Sequence, residues 1–190
     1  MQASYPPQPP PKSSSVPLWL IIGGVVLLVL VAIVGVLAVL GVYGTRKYIA
    51  NAKTAEARNT LGLIGRSAVT AYEDEGATPD DAKMVHRLCP SASAPVPASK
   101  AMVSGKKYQS SPAEWTADAG KNAGFSCLKF DMNMPQYFQY EYEATATSFV
   151  ARAHGDLNGN GIYSTFELRG QVVGDKLVVA PSIVEIDPEE

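Results

Sequence analysis

No charged residue lies between Lys12 and Arg46, and within that interval residues 16–43 read VPLWLIIGGVVLLVLVAIVGVLAVLGVY. An uncharged apolar run of this length admits few folds. The hydrophobic part of a signal peptide needs only about 7–15 residues, whereas a helix that crosses a bilayer needs about 20. A buried core helix of this composition would need a large core around it, which a chain of 190 residues cannot supply. A single membrane span is therefore expected over residues 18–43, from Leu18 and Trp19 to Tyr43, with the lipid bilayer as its partner. Trp19 and Tyr43 fall near its two ends, where amphipathic rings favour the headgroup level. Ala32, Gly35, Ala38, Gly41 and Gly44 recur every three residues. Small residues let helices approach closely, although a spacing of three drifts around the helix instead of marking one face.

The polar continuation, GTRKYIANAKTAEARNTLGLIGRSAVTAYEDE, contains no proline. Ile49, Ala52, Leu61, Ile64, Ala68 and Ala71/Tyr72 recur at helical spacing, and Glu56, Arg58, Arg66 and Glu73 fall largely on other faces. One helix is expected from about Leu18 to about Glu75, apolar at first and amphipathic over 44–76, with Gly76 and Pro79 ending it. At 1.5 Å per residue it would run about 85 Å, so lipid or other subunits must cover half of it.

Residues 1–17, MQASYPPQPPPKSSSVP, form a Pro/Ser-rich tail. Residues 77–127 read as irregular, with a short helix around Trp115. The pattern then changes to period two. Phe138, Tyr140 and Tyr142 share one face, and Thr147, Phe149 and Ala151 line the next segment. YSTFELRGQVV and DKLVVA continue the strand character around a Gly174-Asp175 hairpin turn. The expected class is α+β, a long N-terminal helix packed on a small antiparallel sheet, with 77–190 as the loop-and-sheet region.

Within that region, HGDLNGNGIYSTFEL carries the spacing of a twelve-residue calcium loop. Asp156, Asn158 and Asn160 fall at alternate positions, Gly161 at the sharp turn, Ile162 where a carbonyl would serve, and Glu167 at the closing position. Calcium is thus the one cofactor candidate. Against it, only Asp156 and Glu167 are charged, the flanks read as strands, and Asn-Gly-Asn-Gly is also a favourable hairpin turn.

The remaining residues offer little chemistry. The net charge is −2, with no basic run and no basic-aromatic interleaving that would suit nucleic acid. His86 and His154 have no partners at a catalytic or zinc spacing, GLIGRS lacks the lysine of a phosphate loop, and no nucleophile-base motif occurs. The reading is of a protein that is not an enzyme.

Two segments resemble type IV pilins. In RKYIANAKTAEARNTLGLIGRSAVTAYEDE, the residues Lys53, Glu56, Ala57, Leu61, Ala71 and Tyr72 look like the pilin helix beyond its apolar half. PQYFQYEYEATATSFVARAHGDLNGNGIYSTFEL is similar to the C-terminal sheet of pilin-like proteins of myxobacteria and their relatives. The resemblance covers roughly residues 18–172. It departs at the N-terminus, where no glutamate lies between Leu18 and Thr45 and no prepilin cleavage motif is visible. It implies a membrane-anchored, fimbrial-type structural protein, a minor subunit of a pilus or secretion machine, meeting itself or other pilin-like subunits through the long helix. The alternative is a membrane-tethered, calcium-dependent binding or adhesion module. The resemblance also places the protein in a bacterial inner membrane, single pass, with the C-terminal domain periplasmic or at the cell surface. Arg46, Lys47, Lys53 and Arg58 after the span argue for the opposite orientation by the positive-inside rule. Two cysteines, Cys89 and Cys127, are compatible with two free thiols or one bond. The external placement implied by the resemblance favours the disulfide.

Overall fold

A computed structural model describes residues 17–74 and 86–190. The tail over 1–16 and the expected helix stop at Gly76 and Pro79 lie outside the described residues. By internal contacts the chain divides into two units, 1–45 and 46–190. The first helix, α1 (Leu18–Asp74), contributes to both. The architecture is α+β, with one long N-terminal helix and a five-stranded antiparallel sheet.

In the second unit the sheet runs β1 (Gln139–Ala144), β2 (Ser148–Gly155), β3 (Ser164–Val173) and β4 (Lys176–Val179) in order. β5 (Val184–Ile186) pairs with the other half of β3. Gly174 takes a left-handed φ of 66° in the β3–β4 turn, where a side chain would be strained. Register puts Tyr142, Ala151 and Leu168 in one row, and Tyr140, Ala153 and Phe166 in the next. All six are buried. The small Ala151 and Ala153 leave room beside the aromatic rings for the helix. Its buried face is Thr54, Ala57, Thr60, Leu61, Ile64, Gly65, Ala68, Ala71 and Tyr72. Gly65 sits where a Cβ would lie 2.8 Å from Leu168 Cδ2, so the close approach of helix and sheet depends on its missing side chain.

The amphipathic pattern differs from expectation at its start. Ile49 and Ala52 are exposed, because among the described residues of the helix no buried one precedes Thr54 and the periodicity there faces no core. Glu56 turns inward instead of outward. Its carboxylate accepts the Tyr137 N–H at 2.8 Å and the Tyr140 hydroxyl at 3.3 Å, which ties the helix to the start of β1. Burial raises its carboxyl above the ordinary range, and these hydrogen bonds pull the other way. Thr147 is exposed in the β1–β2 turn, where the Thr145 hydroxyl accepts the N–H groups of Thr147 and Ser148.

The Pro/Ala-rich crossing is more ordered than its composition suggests. Val96 exchanges two backbone hydrogen bonds with Tyr140, and the Ala92 N–H donates to Tyr142 O, so this segment covers the β1 edge. Further along lie α2 (Pro112–Trp115) and α3 (Gly124–Cys127). Trp115 is buried edge-on against Phe125 and Phe130, at 4.9 and 5.4 Å between ring centroids. Its indole N–H donates to Ser110 Oγ, Ser110 donates to Gln136 Oε1, and the Gln136 amide donates to the carbonyls of Val96 and Phe138. That chain satisfies a polar group at the centre of an aromatic cluster. Cys89 and Cys127 form a disulfide that joins the two ends of this region.

Phe149 lies across Gly170 on the neighbouring strand, and a Cβ built there would stand 2.1 Å from Phe149 Cε1. Gly170→Ala is therefore expected to cost about 1–3 kcal/mol through overpacking. The check is the denaturant midpoint, which should fall at an unchanged m-value.

Candidate functional site

Two features of the molecule are candidates for function. The first is the helix over residues 18–45. Its large apolar residues are exposed on every side: Leu18 and Leu28 are both 70% exposed, and Leu27, Leu30 and Val34 on the opposite side are 63, 53 and 64% exposed. Leu18, Trp19 and Tyr43 are exposed as well, and Gly35 and Gly41 have nothing within 4 Å of where a side chain would begin. A stripe would indicate one protein partner; an all-round apolar surface indicates an apolar surrounding. This is one helix near the N-terminus long and apolar enough to cross a membrane.

The second is the loop between β2 and β3. Asp156 has no exposed surface. Its Oδ1 accepts the N–H groups of Gly159 at 2.7 Å and Asn160 at 3.1 Å. Its Oδ2 accepts the Gly161 N–H at 3.0 Å and the Ser104 hydroxyl. Burial by itself would raise this carboxyl, but the Ser104 hydroxyl and the three backbone donors outweigh it and hold the group below its ordinary value. Gly159 and Gly161, at φ 78° and 88°, let the backbone turn its amides inward. The loop is docked from outside as well, since the Gly105 N–H donates to Asp156 O at 2.7 Å and Gly105 abuts Gly159.

The side-chain oxygens of four expected calcium ligands, Asp156, Asn158, Asn160 and Glu167, are each taken by protein donors. Both carboxylate oxygens of Asp156 serve the loop's own donors. Asn158 Oδ1 accepts the Asn160 N–H, Asn160 Oδ1 accepts the Ile162 N–H, and both side-chain amides donate to Glu190 Oε2. Glu167 lies on β3 opposite Arg152, where the strand register turns it onto the polar sheet face. There it holds Arg152 at 2.8 Å and also Arg169. Arg152 in turn meets Glu143 at 2.6 Å and Glu141 at 3.7 Å, a ladder of alternating charge across three strands. Among the described residues no group of three or more His, Cys, Asp or Glu side chains is placed to hold a metal ion. Millimolar calcium is accordingly expected to leave the melting temperature where magnesium at equal ionic strength leaves it. A calcium-specific rise in differential scanning fluorimetry would show that the loop rearranges around the ion.

The spacing of Asp156 to Glu167 was visible in the chain, whereas Ser104 and Gly105, distant in sequence, were not. His154, without a partner at a catalytic or zinc spacing in the sequence, has partners in the fold. It is buried on β2, its Nδ1 2.9 Å from Thr165 Oγ1 and its Nε2 3.6 Å from Glu141. No family model, curated protein or solved structure matches the chain.

Proposed function

We propose that this is a membrane-anchored, pilin-like structural protein. Residues 18–43 of α1 lie in a bacterial inner membrane, and the domain over 46–190 is held on its outer side as a minor subunit of a pilus or secretion machine. The observation that carries the reading is one continuous helix with two surroundings. It is apolar and exposed all round in its first part, and beyond Thr54 it contributes one wall of the sheet's core. Lipid, or the same part of neighbouring subunits, would cover the first part. The Cys89–Cys127 disulfide supports an oxidising compartment for the domain. The calcium-dependent alternative gains nothing from the geometry of the 156–167 loop.

The test is fractionation of cells that express the full chain. The protein should stay with membranes after an alkaline wash, and protease added to spheroplasts should reach the domain. Recovery chiefly from sheared filaments would make it an assembled major subunit. Protection of the domain from added protease would reverse the orientation and favour the positive charges at Lys47 and Lys53 as the topological signal.

A further inference from the structure

A groove of about 540 Å³ lies beside the second half of α1, against the end of β4 and the segment that follows it. Its origin can be read in three residues. Gly62 has no side chain, and nothing lies within 4 Å of where one would begin. Gly65 brings the helix down onto Leu168. Pro181 cannot donate to a strand ladder, so pairing with β3 stops once the Ala180 N–H has donated to Arg169 O at 2.8 Å, and β5 begins only at Val184. The walls are accordingly apolar, from Val69, Leu168, Val179, Pro181 and Ile183. One charged side chain lines it, Arg66.

Arg66 is exposed and has no hydrogen-bond or ion-pair partner among the described residues. The positions three and four residues away on the helix are Gly62, Leu63, Val69 and Thr70, none of them acidic. Two turns on, Glu73 lies on the same face without an ion pair to Arg66, and Asp74 faces Lys129 at 3.8 Å. By contrast Arg58, Arg152 and Arg169 each hold a carboxylate. A guanidinium is a fork of donors matched to a carboxylate. A groove of this volume with apolar walls and one charged side chain has the composition of a small-ligand site.

We propose that this groove binds a small amphiphilic carboxylate, its apolar body against Val69, Leu168 and Ile183 and its carboxylate on Arg66. The site belongs to the domain over 46–190 alone and does not depend on the pilin-like reading.

The test uses the full chain in nanodiscs of zwitterionic phosphatidylcholine, with empty nanodiscs as the blank for partitioning into lipid. The probe is 4-phenylbutyrate, compared with its uncharged primary amide and with acetate, by isothermal titration. Wild type should bind 4-phenylbutyrate at least tenfold more tightly than either. Arg66→Gln should remove the preference for the acid over the amide. Gly62→Leu, which fills the open space with a better helix former, should weaken both by tenfold or more. Near-UV circular dichroism identical to wild type establishes that each variant is folded. Equal binding of acid and amide by wild type would overturn the assignment, as would wild-type affinity in both variants. No binding at millimolar probe would also overturn it, leaving the groove as a surface for another polypeptide.

Discussion

Asp156→Ala is expected to lower the stability of the folded domain by about 3 kcal/mol, or roughly 6–12 °C in melting temperature. The substitution removes a fully buried carboxylate that accepts three backbone N–H groups and the Ser104 hydroxyl. The donors would remain, turned inward by Gly159 and Gly161, with nothing to accept them. From the loop's composition alone the turn would rest on its Asn and Gly residues, and loss of the carboxylate would be mild. Ser104→Ala, which removes one donor and leaves the carboxylate its backbone partners, should cost only about 1 kcal/mol. The pH dependence has a definite sign. The folded-state pKa of Asp156 is depressed from 3.8, so the unfolded chain takes up the proton first on acidification. Stability contributed by Asp156 is complete above about pH 5 and is lost as pH falls through the ordinary value toward the folded one. Wild type should therefore lose stability more steeply than Asp156→Ala across that acid range. Thermal unfolding of the full chain in detergent, followed by near-UV circular dichroism, measures both effects. Equal melting temperatures for the two proteins at neutral pH would mean that the loop does not need its carboxylate.

Removal of the disulfide, as Cys89→Ala with Cys127→Ala, is expected to cost about 4 kcal/mol on the chain-entropy account, for a sequence separation of 38. The segment it closes contains the Trp115 cluster and the strand-like residues that cover β1. The penalty should thus appear as loosening of this region before the sheet, with earlier hydrogen exchange at the Val96 and Tyr140 amides. The bond leaves no thiol to react, so the protein should resist thiol labelling, even when unfolded in denaturant, until a reductant is added. Immediate labelling of both thiols without reductant would refute the bond, and an unchanged melting temperature in the double variant would refute its contribution.

Much of the architecture follows from patterns that are local in the chain. An uncharged apolar run can be satisfied only by an apolar surrounding, so residues 18–43 announced themselves regardless of the rest. The helix over Leu18–Asp74 was legible because no proline interrupts it, and the strands because Phe138, Tyr140 and Tyr142 alternate with polar residues. The Gly174-Asp175 turn was legible because few dipeptides accept that backbone. What remained hidden depends on residues far apart in sequence. Composition made 90–97 a Pro/Ala loop, but the free edge of β1 converts it into a strand partner, because unpaired backbone groups at a sheet edge must find donors and acceptors. Glu56 reads as a surface residue on its helix, until Tyr137 and Tyr140 arrive from the sheet to receive it. Asp156 and Glu167 have the spacing of two ligands to one ion. Strand register sends Glu167 to Arg152 on the polar face, and the packing of Ser104 and Gly105 closes Asp156 into the loop. Spacing along a chain determines which residues are able to share a face or a turn; which groups each carboxylate meets is decided by pairing and packing between segments that the spacing does not relate.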